Sequence, residues 1–222
     1  ESISTQTDKI VGTYIWQKDI YAATEMIEAM LAVATKPEHP YNAIRLYSNL
    51  AEKPLPERDR HWSEFLRKRN NSSTVERLIR WFETRTPHGL SDASALNQIV
   101  LLSLILTTTD RTLRDRITRT LLILGEQFPM ALFRHTVDSL EFNDPYVPER
   151  MLAACYGVAM SLSRGLKTSS FTRTLCKLAG ILAKKLFFPG GNHHTTHVLI
   201  RDYALGIIDL ARKADPRCIS DR

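Results

Sequence analysis

The sequence lacks the glycine that a protein built from many tight turns needs. Of its 222 residues, 9 are glycine, and sheet proteins with frequent reverse turns normally use more of this residue. Alternation of apolar and polar residues, the pattern of a half-buried strand, is almost absent as well. With 43% hydrophobic and 24% charged residues, the composition is still that of a chain with a packed core. These features favour a helical globular protein.

The chain also lacks a long apolar run. The longest, residues 99–106, is interrupted by Ser103 and is far shorter than the roughly 20 residues that span a bilayer. The first residues do not have the pattern of a secretory signal. We therefore expect no membrane partner and a cytoplasmic location. Because the sequence begins at Glu1 rather than at methionine, we also expect it to be a segment of a larger protein.

Cysteine is scarce and has no pairing pattern. Cys155, Cys176 and Cys218 are widely separated and none belongs to a CxxC motif, so neither a disulfide framework nor a zinc site is predicted. Cys155 and Cys176 lie among apolar helical neighbours, and we expect both to be small core residues. A reducing environment is consistent with this usage.

Catalytic motifs are missing too. The sequence contains neither a GxxxxGK[ST] phosphate-binding loop nor a GxSxG nucleophile motif. His193 and His197 are four residues apart and would share one face of a helix, as metal-binding histidines do. However, His194 stands where the zincin motif requires glutamate, and a Pro-Gly-Gly turn precedes the segment. We expect capping or packing histidines, and we predict no enzyme, cofactor or metal site.

Acidic residues are absent from one long stretch. Residues 1–110 carry a net charge of −1, and residues 111–222 carry one of +7. Between Glu149 and Asp202 there are eight basic residues and no acidic one. This asymmetry predicts a surface for a negatively charged partner. The candidate binding residues in this stretch are Arg164, Lys167, Arg173, Lys177, Lys184 and Lys185.

Part of this stretch has the pattern of an amphipathic helix from about residue 170 to residue 188. Arg173, Lys177 and Lys184 would share one face, while an apolar stripe through Leu175 and Leu182 would face inward. Such a basic face would hold phosphates of a nucleic acid or an acidic protein surface; a solvated outer face is the alternative. Aromatic residues are not interleaved with these charges, which argues against stacking of single-stranded bases.

Helical periodicity is present almost throughout the chain. Apolar residues recur every three to four positions, in segments that are separated by proline-containing or polar breaks. The clearest breaks are the sequences KPLP at residues 53–56, NNSST at residues 70–74 and TPHG at residues 86–89. Residues 96–106 are apolar on nearly every side, which predicts a helix that is surrounded by neighbours.

Three predicted helix starts share one spacing, in which a capping residue is followed at three-residue intervals by a branched apolar residue and an arginine. The three sets are Asp110, Leu113 and Arg116; Asp144, Val147 and Arg150; and Thr195, Val198 and Arg201. The cap satisfies free backbone donors. We expect the apolar residue to enter the core and the arginine to reach a neighbouring acidic cap or helix C-terminus.

This regularity predicts an all-α fold, in which HEAT-like helical hairpins stack as an α-solenoid or a compact helical array. An irregular helical bundle is the alternative. We expect residues 1–222 to form a single helical-repeat domain, with a sub-division near residues 86–92.

Three short motifs resemble a known family. The first is LPERD at residues 55–59 followed by Trp62. The second is NDPYV at residues 143–147, followed by ER at 149–150 and by AACYGVA at 153–159. The third is TH at residues 196–197 followed by IRDYA at 200–204. In order and spacing they resemble the helical region downstream of the ATPase module in bacterial STAND-type NTPases, including AVAST-type antiviral proteins.

The resemblance implies a sensor or scaffold part, which recognises a ligand such as a phage protein and relays assembly to the ATPase and effector domains. ATP hydrolysis is not carried over, because the chain has no phosphate-binding loop. The leading hypothesis is a non-catalytic module of a larger bacterial defence ATPase that binds a protein partner or other domains of the parent chain. The alternative is a HEAT-like module that binds nucleic acid through the basic 164–185 region.

Overall fold

A computed structural model describes residues 20–68, 73–85, 89–165 and 169–219 of the chain. Within these ranges every regular element is helical, which confirms the all-α prediction. Short-range backbone hydrogen bonding therefore supplies the secondary structure, and apolar faces of helices supply the core. The chain divides into two compact units, Glu1–Ile117 and Thr118–Arg222. The prediction of a single domain with a sub-division near residues 86–92 stays a prediction.

Helices α1 to α6 belong to the first unit, and α7 runs across its boundary. Their bounds are α1 Ile20–Ala34, α2 Ala43–Ala51, α3 Leu55–Arg58, α4 Glu64–Arg67, α5 Thr74–Thr84, α6 Asp92–Ile105 and α7 Arg111–Gln127. A π-helical turn, Asp59–Ser63, joins α3 to α4. The second unit contains α8 Pro129–Asp138, a 3-10 turn Ser139–Glu141, α9 Tyr146–Gly165, α10 Ser169–Leu186 and α11 Val198–Ala214.

Helix α6 forms the centre of the first unit. Ser91 begins it by accepting a hydrogen bond from the Ser94 amide, and every residue from position 97 to position 105 is buried. The indole of the buried Trp62, in the π-helical turn, donates to the Leu104 carbonyl at 3.2 Å and to the Thr107 hydroxyl at 2.9 Å. The C-terminal end of α6 therefore finds a donor in another element, as a buried helix end requires.

A buried asparagine joins three elements of the same unit. Asn97 of α6 is fully buried; its side-chain amide donates to the Ala34 carbonyl at 2.7 Å and its carbonyl accepts from the Ala43 amide at 2.9 Å. The end of α1 and the start of α2 are thus both satisfied by one side chain. An apolar residue here would leave two buried backbone groups without these partners, which is costly.

Arg116 ties α7 to α5 through two carboxylates. Its guanidinium lies 3.0 Å from Glu76 and 2.7 Å from Glu83, and the hydrogen bond to Glu83, followed by that to Glu76, raises the pKa of Arg116. Glu76 is in the first turn of α5, whose N-cap is Ser73. Arg116 therefore reaches an acidic residue next to a neighbouring cap rather than an acidic cap itself. Arg150 instead pairs with the adjacent Glu149 at 3.2 Å.

The third copy of the repeated spacing differs from the first two. Leu113 and Val147 are fully buried, but Val198 is 76% exposed, so the prediction that it enters the core is wrong. The reason is a shifted helix start: His197, rather than Thr195, is the N-cap of α11. Val198 therefore occupies the first helical position, whose side chain points away from the core.

Three glycines of the second unit lie directly against side chains of neighbouring helices. A β-carbon added at Gly125 would overlap the Leu132 side chain, one at Gly157 would lie 2.7 Å from Leu122 Cδ1, and one at Gly206 would lie 2.6 Å from the Tyr156 ring. α9 packs on α8 and α11, and α11 packs on α10. The absence of side chains at these three positions permits this spacing.

Gly180 of α10 differs from these glycines, because no described atom lies within 4 Å of a β-carbon added there. We therefore expect Gly125→Ala to destabilise the chain and Gly180→Ala to stabilise it. Overpacking at the buried Gly125 costs about 1–3 kcal/mol, which exceeds the about 0.5–1 kcal/mol that alanine gains over glycine in a helix. Urea unfolding monitored by circular dichroism measures both. Destabilisation by both substitutions would contradict the open space at Gly180.

Stability should also depend on the protonation of His135. This residue of α8 is 3% exposed, and burial lowers its pKa from 6.5 to about 4. The unfolded chain takes up a proton as the pH falls through 6.5, whereas the folded chain does not until about pH 4. We therefore expect the free energy of unfolding to decrease by roughly 3 kcal/mol as the pH falls from 6.5 to about 4. The His135→Gln variant, which lacks the group, should lose less over the same window, and equal losses in both proteins would refute the assignment.

Candidate functional site

Helix α10 carries the candidate surface, and its inner face fixes its orientation. The residues buried along it are Leu175, Leu178, Ala179, Leu182, Ala183 and Leu186. They pack against α11 and α8, and the Phe171 ring lies 6.5 Å from the ring of Phe133 in α8. The predicted apolar stripe of this helix is therefore confirmed, and the opposite side of α10 faces outward.

Arg173, Lys177 and Lys184 lie together on that outer side. All three are exposed, and at 3.6 residues per turn they fall within about 40° of one another around the helix. Along the axis they extend over about 16 Å. We call these three residues, with Gly180 between the last two, the basic face. The predicted grouping of the three cations is confirmed.

No carboxylate neutralises the basic face in the part of the chain that the structure describes. α10 itself has no acidic residue, and no ion pair reaches Arg173, Lys177 or Lys184 from any other described residue. Some other described cations are paired, as Lys53 is with Glu57 at 3.2 Å. Three adjacent charges of one sign create a local positive potential, which attracts anionic groups.

Lys185, another predicted binding residue, has a different environment. Its ammonium lies 3.1 Å from Glu141 Oε1, and His193 Nε2 lies 2.7 Å from the same oxygen. The hydrogen bond from His193, followed by that from Lys185, lowers the pKa of Glu141. One residue on from Lys184, Lys185 points about 100° away around the helix. It ties α10 to the 3-10 turn and does not belong to the basic face.

The two remaining predicted residues lie elsewhere in the chain. Arg164 is exposed in the last turn of α9, where a cation complements the negative end of the helix. Lys167 lies outside the described residues. Of the six predicted binding residues, the structure therefore groups three.

The Pro-Gly-Gly turn after α10 serves to end that helix. Gly190 has a φ of +79°, and a β-carbon at Gly191 would lie 2.5 Å from the Lys185 carbonyl oxygen. The chain can turn back over the helix end only because these side chains are absent. The His193 amide then donates to the Lys185 carbonyl at 3.1 Å, so a carbonyl of the last turn is satisfied.

The histidines of this region have capping and pairing roles. His197 caps α11 by accepting from the Ile200 amide at 3.5 Å, and its Nε2 lies 3.5 Å from Glu149. His193 instead pairs with Glu141. Among the described residues no three histidine, cysteine, aspartate or glutamate side chains are grouped so that they would hold a metal ion. No described helix has the length and apolar composition needed to cross a membrane.

The thiols of Cys155 and Cys176 lie in environments that disfavour the thiolate. Cys155 is fully buried, as expected of a core residue, and burial raises the pKa of its thiol to about 12. Cys176 is only partly buried, and burial followed by a hydrogen bond with Cys218 raises its pKa to about 12. Because the thiolate is the reactive form, a raised pKa lowers reactivity.

Two features of the basic face could not be predicted from the motifs. The helical spacing predicted that Arg173, Lys177 and Lys184 share one face. The ion pair that engages Lys185 elsewhere depends on Glu141, which is 44 residues away. The open space above Gly180 likewise depends on where other helices pack. The sequence did contain an indication of the second feature, because Gly180 lies inside a strongly periodic helix and a glycine in that setting usually has a packing or functional reason.

Comparison with known proteins returns no relative of the chain. No protein-family model, curated protein or solved structure matches it. The resemblance to STAND-type NTPases therefore stays a prediction based on short motifs, and the arrangement of side chains on α10 is the principal guide to function.

Proposed function

We propose that the chain is a non-catalytic helical binding module and that the basic face of α10 binds an acidic protein partner. The observation that carries the proposal is the exposure of Arg173, Lys177 and Lys184 on one side of a helix that has no carboxylate. Surface cations in a folded domain are commonly mixed with anions of opposite sign. Three cations without such neighbours are suited to an anionic partner.

The number of cations favours a protein over a nucleic acid. A DNA-binding protein with about 6–10 phosphate contacts draws a large share of its affinity from them, and that affinity falls with a salt slope of about −0.9 for each contact. Three cations over about 16 Å of helix supply only a small part of that attraction. An acidic patch on a protein needs fewer charge pairs, because apolar and hydrogen-bonding contacts provide much of the binding energy.

Exposed apolar residues near the same helix support a protein partner. Val198, Leu199 and Leu205 of α11 are 76%, 43% and 44% exposed, and α11 packs on α10. Apolar side chains gain free energy when a protein surface covers them, at roughly 25 cal/mol per Å². Phosphates offer no such burial. Exposed cations and exposed apolar side chains are both kinds of group that protein interfaces use.

The parent protein is proposed from the sequence motifs. The resemblance of residues 40–212 to the region downstream of the ATPase module supports a place in a larger bacterial defence ATPase, as a sensor or an inter-domain scaffold. The helices would then stack as HEAT-like hairpins, whose exposed faces serve extended protein surfaces. On this proposal the acidic partner is a protein that the sensor recognises or another domain of the same chain.

A second candidate function is binding of a nucleic acid. The net charge of +7 on residues 111–222 favours it, because a basic half attracts polyanions of any kind. In this case the attraction should be mostly electrostatic. Ionic strength separates the two functions by degree, because salt screens the charge pairs with either partner but does not screen the apolar contacts of a protein interface.

Reversing the basic face tests the proposal. We expect the triple variant Arg173→Glu, Lys177→Glu, Lys184→Glu to fold and to lose the partner. The matched control is Arg119→Glu, Arg212→Glu, Lys213→Glu, which changes the net charge equally at exposed positions, the last two in the final turn of α11. The measurement is quantitative capture from nuclease-treated bacterial lysates, with and without phage infection. Proteins held by the wild type and the control, but not by the basic-face variant, support the proposal.

Equal capture by all three chains would contradict this assignment of the surface. Binding of a 20-base-pair duplex, measured by fluorescence anisotropy at 50 and 200 mM salt, tests the second function. Three phosphate contacts would give a salt slope of about −2.7. A slope of that size, together with loss of duplex binding only in the basic-face variant, would favour nucleic acid.

A further inference from the structure

Gly180 occupies the middle of the basic face. It lies three residues after Lys177 and four before Lys184, so the two cations stand about 4.5 and 6 Å from it along the helix axis. Glycine destabilises a helix interior relative to alanine, because it has more backbone freedom to lose on folding. The described part of the chain gives no steric reason for it, since an added β-carbon would meet nothing within 4 Å.

Three other helical glycines of the second unit show what such a residue does in this fold. Gly125 is covered by Leu132 of α8, Gly157 by Leu122 of α7, and Gly206 by Tyr156 of α9. In each case a side chain from another helix presses against the bare backbone. Gly180 has the same helical setting without a covering side chain among the described residues.

We propose that Gly180 is the point at which an acidic α-helix of a protein partner crosses α10. The inference rests on the proposed function and adds the shape of the partner and the position of its closest contact. Packed helices lie 8–10 Å apart, the distance depending on the side chains at the contact, and a glycine permits the short end of that range. Carboxylates on the crossing helix would then lie on both sides of Gly180, within reach of Arg173, Lys177 and Lys184.

A phosphate backbone does not require the glycine. Arginine and lysine side chains carry their charges several ångströms from the helix backbone, so phosphates bound by them remain beyond the position of a β-carbon. A missing β-carbon matters when the partner presses on the backbone itself, as a packed helix does. The open glycine therefore distinguishes a helical protein partner from a polyanion.

The test uses a display library of helical peptides about 18 residues long, which form five turns. Their framework is alanine-rich, with glutamate, lysine and leucine varied on one face, and selection is against the full chain. We expect the enriched peptides to be acidic and helical. The best of them should bind the Gly180→Ala chain about tenfold more weakly, because the added methyl group separates the helices.

Ser170→Ala is the matched control. Ser170 is exposed near the start of α10, and alanine there raises helix propensity without adding bulk at the crossing. This variant should bind the selected peptide as the wild type does. Both alanine variants should melt at a slightly higher temperature than the wild type, which shows that weaker binding does not arise from a damaged fold.

Three outcomes would overturn the inference, and they are distinguishable. Peptide binding that is lost in the charge-reversed chain but unchanged by Gly180→Ala would leave the proposed function standing without the helix crossing. A lower melting temperature for Gly180→Ala would mean that the chain itself covers the glycine. Enrichment of no acidic helix, together with duplex binding that Gly180→Ala does not change, would assign the face to nucleic acid and would also count against the proposed function.

Discussion

Packing of side chains against bare glycine backbone is the constraint on which the second unit depends. Gly125, Gly157 and Gly206 each allow a side chain of another helix to press against bare backbone. These contacts set the distance of α9 from its neighbours, and α11 in turn supports the inner face of α10. The helix that supports α10 is thus itself positioned by a contact at a glycine, Gly206, against Tyr156. In the first unit the equivalent role belongs to the fully buried Asn97, which satisfies the end of α1 and the start of α2.

Some cations of the chain join one helix to another element, whereas others lie on the surface without such contacts. Arg116 and Lys185 each bridge two elements through glutamates, and Arg201 lies 4.8 Å above the Phe187 ring. These cations are partly buried and contribute to the packing of helices. Arg173, Lys177 and Lys184 have no such contacts among the described residues. A surface cation without an ion pair to the described chain is available to a partner at little cost to the fold.

Much of the fold could be predicted from periodicity, because apolar spacing is a local property. The buried α6, the inner stripe of α10 and the shared face of its cations all follow from positions within one helix. The π-helical turn at Asp59–Ser63 and the role of Asn97 do not, since both depend on partners from other elements. The prediction for the third of these helix starts was wrong for a local reason. His197, not Thr195, is the N-cap of α11, and this shift of two residues places Val198 outside the core.

The turn that ends α10 has a consequence for binding. Gly190 and Gly191 fold the chain back so that the His193 amide holds the Lys185 carbonyl, while the His193 ring and Lys185 share Glu141. Fraying of the last helical turn is thereby opposed, directly beside Lys184. The backbone beneath the cations is preorganised, so a partner would pay mainly for ordering the side chains, at about 0.5–1.5 kcal/mol for each. Specificity can then come from the fixed spacing of the charges rather than from their number.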